Sequence, residues 1–155
     1  MSARWIGALA ALVIMPVAGA ANSQNASDQA NSPQAGSRTY AQNYKDMVLA
    51  ECIATAYRNE KTLDVDAGSS ATALRDWTNF DWETHSYDEV HRLVAKYLAR
   101  DYHNPLVESE VKGVRFDLLK CLDLYHSKEL SDHVKRVVIH PKRTYRQDNP
   151  PINFK

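Results

Sequence analysis

Hydrophobic positions recur at three- and four-residue spacings over most of the chain, and strict alternation is hard to find, so the pattern predicts helices. In TYAQNYKDMVLAECIATAYRNE, Ala41, Tyr44, Val48, Leu49, Cys52, Ile53 and Ala56 share one face at about 100° per residue, with Asp46, Glu51 and Arg58 off it. That predicts a first helix from Tyr40 to about Asn59. Ala71, Leu74 and Trp77 repeat with a helical step and predict a second, starting near Asp64 or near Ser69. Ser86 and Glu89 have the spacing of a capping box. Val90, Leu93, Val94, Tyr97 and Leu98 then form the stripe of a third helix, Tyr87 to about Asp101, which should stop before Asn104-Pro105. A fourth stripe, Val111, Val114, Leu118, Cys121, Leu122 and Tyr125, spans Ser109 to His126. Ser127 can cap a fifth, shorter helix carrying Leu130, Val134 and Val137. The end, HPKRTYRQDNPPINFK, has three prolines and no usable period. The expected fold class is therefore all-α: one compact bundle of about five helices over residues 39–140, with an extended basic tail over 141–155.

The amino terminus changes the compartment. In MSARWIGALAALVIMPVAGA, Arg4 precedes an apolar run from Trp5 to Val17, and Ala18-Gly19-Ala20 has the small-x-small pattern that signal peptidase accepts. The run is too short and too cleanly ended for a membrane span. Residues 1–20 are thus expected to be a cleaved signal peptide, leaving an exported protein with no membrane attachment. Ala21 to Arg38, rich in Asn, Ser, Gln and Ala, has too little apolar surface to offset the entropy of ordering and is expected to be a disordered lead.

The formal net charge of zero hides an asymmetry. From Lys135 onward there are six basic residues against one acid, whereas Ala21 to Val134 holds 12 basic and 18 acidic residues. An acidic body with a short basic end is not the footprint of a nucleic-acid binder.

Candidate chemistry is sparse. Cys121 and His126 are five positions apart, which on a helix is about 140° around the axis, so they cannot act as nucleophile and base within that helix. Cys52 and Cys121, the only cysteines, each sit in an apolar stripe, and in an exported chain that points to a disulfide pinning the first helix to the fourth. The six histidines show no metal-ligand spacing and read as isolated surface residues; His85, Asp88 and His91 come nearest to a set. There is no Gly-rich phosphate loop and no Gly-x-Ser-x-Gly, so neither a cofactor nor an enzymatic activity is expected. LRDWTNFDWETHSY interleaves Trp77, Phe80, Trp82 and Tyr87 with acids at a junction of helices. Trp77, in register with Leu74, reads as core. Asp81, Trp82 and Glu83 fit either a solvated helix corner or an interface hot spot. Phe116 and Leu119 lie about 140° and 160° from Cys121 on the expected fourth helix, which calls for a second buried surface, either another helix or a second subunit.

NYKDMVLAECIATAY, ALRDWTNFDWE, KCLDLYHSKEL and the terminal KRTYRQDNP together resemble the type VI secretion amidase immunity proteins, in the branch that neutralises the fourth class of amidase effectors. The similarity covers about Tyr40 to Pro150. It implies an all-helical periplasmic protein, usually a homodimer, that occludes the active site of a peptidoglycan-cleaving cysteine amidase with a rigid helical surface and a protruding loop. Cys52 and Cys121 match the family's paired cysteines. Asp81, Trp82, Glu83 and His85 are the expected partner contacts, and Phe116 and Leu119 the expected dimer contacts. The alternative is a periplasmic carrier of a small ligand or of a metal held through His85 or His91.

Overall fold

A computed structural model describes residues 32–83 and 86–150. The expected signal peptide, most of the lead, His85 and residues 151–155 lie outside the described residues. Residues 34–155 form one compact unit, and every helix described belongs to it. That unit is all-α. After a 3-10 turn, Gln34–Ser37, come α1 (Tyr40–Ala56), α2 (Lys61–Asp76), α3 (Ser86–Leu98), α4 (Pro105–Glu110), α5 (Asp117–His126), α6 (Lys128–Val137) and α7 (Tyr145–Asp148). The five longest correspond to the five expected helices, α5 to only the second part of the expected fourth, with α4 and α7 as additions.

The long apolar face of α1 makes it the central element. Tyr40, Tyr44, Met47, Val48 and Cys52 are buried, and α1 packs against α2, α3, α5 and α6. Thr39 starts it with a capping box to Gln42. Two further orphan donors of its first turn are satisfied from the far end of the chain: Tyr40 N–H donates to the Arg143 carbonyl (2.8 Å) and Ala41 N–H to that of Pro141 (3.1 Å). The Cys52–Cys121 disulfide joins α1 to α5 with no exposure at either residue.

Four expectations are corrected. The segment expected to be an extended tail carries α7, capped by Thr144, and Tyr145 packs edge-on against Trp77 at 5.0 Å. Tyr40 O–H donates to Asp148 (2.8 Å), and Arg143 pairs with the same carboxylate, holding it below the usual carboxylate range. Burial, with Asp148 alongside, pushes the Tyr40 hydroxyl up to about 12. The end of the expected lead is also ordered, because Asn43 donates to the carbonyls of Ala35 (2.8 Å) and Trp77 (2.9 Å). Gly36 lies so near the Trp77 ring that a Cβ there would stand 2.6 Å from it.

Ser86 is not the cap of α3. It is a buried helical residue whose hydroxyl donates to the Asp81 carbonyl (3.0 Å), and Glu89 turns inward instead of closing a capping box. The expected fourth helix is broken. Pro105, at the first turn of α4 behind the Asn104 cap, starts a separate six-residue helix. Gly113 (φ 74°) and Phe116 (φ 55°) then take left-handed backbone before α5 begins. Only Cys121 and Leu124 bring apolar side chains inward from α5, together with Asp117 and Lys120, while Leu118 and Leu122 face solvent.

Candidate partner-binding surface

The aromatic corner after α2 is built on a buried anchor. Phe80 meets Tyr44 edge-on at 5.1 Å and bridges to Val138 in antiparallel fashion, with Asp81 N–H donating to the Val137 carbonyl (2.9 Å) and Ile139 N–H to that of Asn79 (2.9 Å). That clamp fixes the backbone from which Trp82 projects, 56% exposed. The Trp82 ring lies 4.3 Å from Phe80 on the inside, and the Arg75 guanidinium reaches both Trp82 (5.2 Å) and Tyr87 (5.8 Å). The Asp81 carboxylate accepts from Glu83 N–H (2.9 Å), closing a tight turn. Asp81, Trp82 and Glu83 thus come together on one rigid corner with Tyr87 beside it, whereas Trp77 packs inward. His85 falls outside the described residues.

A buried polar chain underlies this corner. Tyr44 O–H lies 2.9 Å from His133 Nε2, and His133 Nδ1 lies 3.1 Å from Glu89, which also binds Arg136. The carboxylate at Nδ1 requires the proton there, so Nε2 accepts from the tyrosine. Burial holds His133 below the ordinary histidine value despite the pull of Glu89. Burial opposes the charge on Glu89, but the bond from Arg136 and the nearby His133 hold its carboxyl below its usual range. Burial pushes the Tyr44 hydroxyl up. The constellation looks like a catalytic relay, but His133 has no exposure and no substrate can reach it. It ties α1, α3 and α6 together. His133 corrects the expectation of surface histidines, and its place between Leu130 and Val137 on the α6 stripe was the signal that could have found it.

The neutral ring has a consequence. As the pH falls below the ordinary histidine value of 6.5, the unfolded chain takes up a proton that folded His133 resists, so stability should fall. Glu89 adds a second loss, of the same sign, below 4.5. Urea midpoints measured from neutral to mildly acid pH should therefore drop, and His133→Gln should flatten the upper part of that drop. A midpoint that rises on acidification would refute the buried neutral ring.

A second exposed surface surrounds the start of α5. Phe116 and Leu119 line an open cleft of about 550 Å³ with Ala56, Tyr57, Val114 and Leu122, and Leu119 is 47% exposed. The neighbouring α4 buries no residue and carries Leu106 at 82% exposure. Sequence reading missed α4, although Asn104-Pro105 is a start signal as well as a stop. No group of three potential metal ligands occurs among the described residues, and no described helix is long and apolar enough to cross a membrane.

A disulfide-pinned all-helical fold, with the Tyr44-His133 pair sealed inside and a rigid aromatic corner exposed, defines a small binding module. The chain belongs to the type VI secretion system amidase immunity family, Tai4, whose pattern matches residues 42–134. It is an immunity protein, an inhibitor and not an enzyme. A solved structure described under new type VI-secreted toxins and self-resistance proteins in Serratia marcescens has 29% identity and a TM-score of 0.68, over 78% of this chain and 94% of its own. A chain from the Tae4/Tai4 effector-immunity system of Salmonella typhimurium shares the fold, with 22% identity and a TM-score of 0.57 over 68% of this chain and 96% of its own. No curated protein matches the sequence.

Proposed function

We propose that this immunity protein works in the periplasm and covers the active site of a type VI secreted cysteine amidase, so protecting the cell's peptidoglycan from its siblings' toxin. Family membership over residues 42–134, a span that includes both cysteines and the Trp82 corner, is the observation that carries the reading. The expected signal peptide supplies the compartment, and the disulfide suits it. Blocking is competitive: a preformed surface fills the substrate groove, with Asp81, Trp82, Glu83 and His85 among the contacts and the α4 excursion as the protruding element.

The test is to mix the mature protein with a purified amidase of the fourth class and follow stem-peptide cleavage. Stoichiometric inhibition is expected. No inhibition by folded protein would reduce the family likeness to shared architecture. In the same assay, Trp82→Ala with Glu83→Ala should weaken binding by about 1 kcal/mol or more, because exposed aromatics on a rigid base are typical hot spots. Unchanged affinity would return the corner to a purely structural role.

The apolar surface of half-buried Phe116 with Leu118, Leu119 and Leu122 is the proposed homodimer contact, since the three leucines are left in water on the single chain. Leu119→Arg should shift the particle from dimer to monomer in sedimentation velocity. A parent that sediments as a monomer, or a variant that stays dimeric, would count against this contact.

A further inference from the structure

The negative excess of the helical body is confined to one stretch. Residues 40–59 hold two acids and two bases and residues 90–134 seven of each, whereas residues 60–89 hold eight acids against Lys61 and Arg75. Elsewhere the acids are largely neutralised within the fold: Asp46 by Arg38, Asp117 by Lys120, Glu129 by Lys96 and Asp132 by Lys128 and Lys135. Glu60, Asp64, Asp66 and Asp76 form no ion pair with any described residue.

These acids lie on or beside a helix face that the fold leaves uncovered. α2 buries only Ala67 and Ala71, and it exposes Leu63 and Val65. Between Asp64 and Asp76 runs a shallow groove lined by Val65, Gly68, Ser69, Thr72 and Ala73, and a Cβ added at Gly68 would meet nothing within 4 Å. Small side chains on an uncovered helix permit close approach of another surface. The Arg75 guanidinium joins the end of this helix to the Trp82 and Tyr87 rings, so the acidic face and the aromatic corner are continuous.

We infer that the outer face of α2, continuous with the Trp82 corner, docks a basic surface of the amidase partner and steers its approach. The inference rests on the immunity reading and adds to it the partner's chemistry and the face it meets. Opposite potentials raise the encounter rate and exclude unlike partners, and the effect weakens with salt. Apolar Leu63, Val65 and Trp82 then supply the contact area that charge alone does not.

The experiment is stopped-flow association of the mature protein with a purified amidase of the fourth class, at low and at high sodium chloride. For the parent, the association rate should fall about tenfold or more with salt. The double variant Asp66→Asn, Asp76→Asn, whose residues are exposed and unpaired within the described fold, should associate about threefold more slowly at low salt and show a shallower salt dependence. Its inhibition at saturation should be retained. Asp101→Asn with Glu129→Gln, an equal change in charge elsewhere, should leave the rate near that of the parent. Equal slowing by the two double variants, or slowing by neither, would overturn the docking face while leaving the immunity function intact. Absence of any association by the folded parent would overturn both.

Discussion

Replacing Cys52 and Cys121 together by alanine is expected to lower stability by about 4 kcal/mol, and the melting temperature by roughly 15 °C, under oxidising conditions. The bridge spans a sequence separation of 69, so it removes a large loop entropy from the unfolded chain. It also joins the central helix α1 to α5, two elements far apart in the chain. The comparison is a thermal melt of parent and variant, with and without a reductant able to act on the unfolded state. Both cysteines have zero exposure, so the parent should resist reduction until it unfolds. Once reduced it should melt close to the variant. Equal melting in oxidising buffer would remove the disulfide from the account of stability.

Asp117→Ala should be nearly as damaging, at about 3 to 5 kcal/mol, because it leaves the buried Lys120 ammonium without its counter-charge. The pair sits at the first turn of α5, with Lys120 Nζ 3.0 Å from Asp117 and 3.2 Å from the Leu98 carbonyl, so it fastens the start of α5 to the end of α3. The exposed Arg115, 3.1 Å from the same carboxylate, should contribute little, as surface pairs do. Replacing both partners, Asp117→Leu with Lys120→Met, should recover most of the loss, because it removes the desolvated charge as well as its partner. Chemical denaturation of the three proteins separates the cases. A double variant as unstable as Asp117→Ala would show that the cost lies in the shape of the site and not in the stranded charge.

Much of the fold was legible because helical periodicity is a local property. α1 was readable from its stripe, though not its Thr39 cap, and α6 from its stripe and its Ser127 cap, since such local signals need no knowledge of neighbours. Ser127 does accept from Leu130 N–H (3.0 Å) as its position promised. The pairing of Cys52 with Cys121 followed from two cysteines on two apolar faces. The Trp82 corner was readable as a composition, aromatics among acids. Its rigidity was not, because the clamp comes from Val137, Val138 and Ile139, more than fifty residues away.

Misreadings arose where an apolar stripe has more than one place to go. Val111 and Val114 continue the spacing of Leu118 and Leu122, but Gly113 and the left-handed Phe116 break the backbone between them. The inward turn of α5 is then set by Cys121, held by its disulfide, and by Leu124. Leu118 and Leu122, equally apolar, are left on the outside. His133 and Glu89 have unremarkable spacing in the chain, and only the meeting of α3 with α6 brings the half-buried carboxylate onto the buried ring.

By itself the sequence determined the helical class, the approximate positions of four of the five long helices, the disulfide and the concentration of the negative excess in residues 60–89, because each depends on residue type and spacing along the chain. Tertiary structure alone decided which face of α5 turns inward, that the carboxyl end folds back to cap α1, that His133 is sealed and neutral, and that Trp82 stands on a fixed base. Those outcomes depend on which distant groups compete for the same buried volume and the same orphan hydrogen bonds, and neighbours in space are not written as neighbours in sequence.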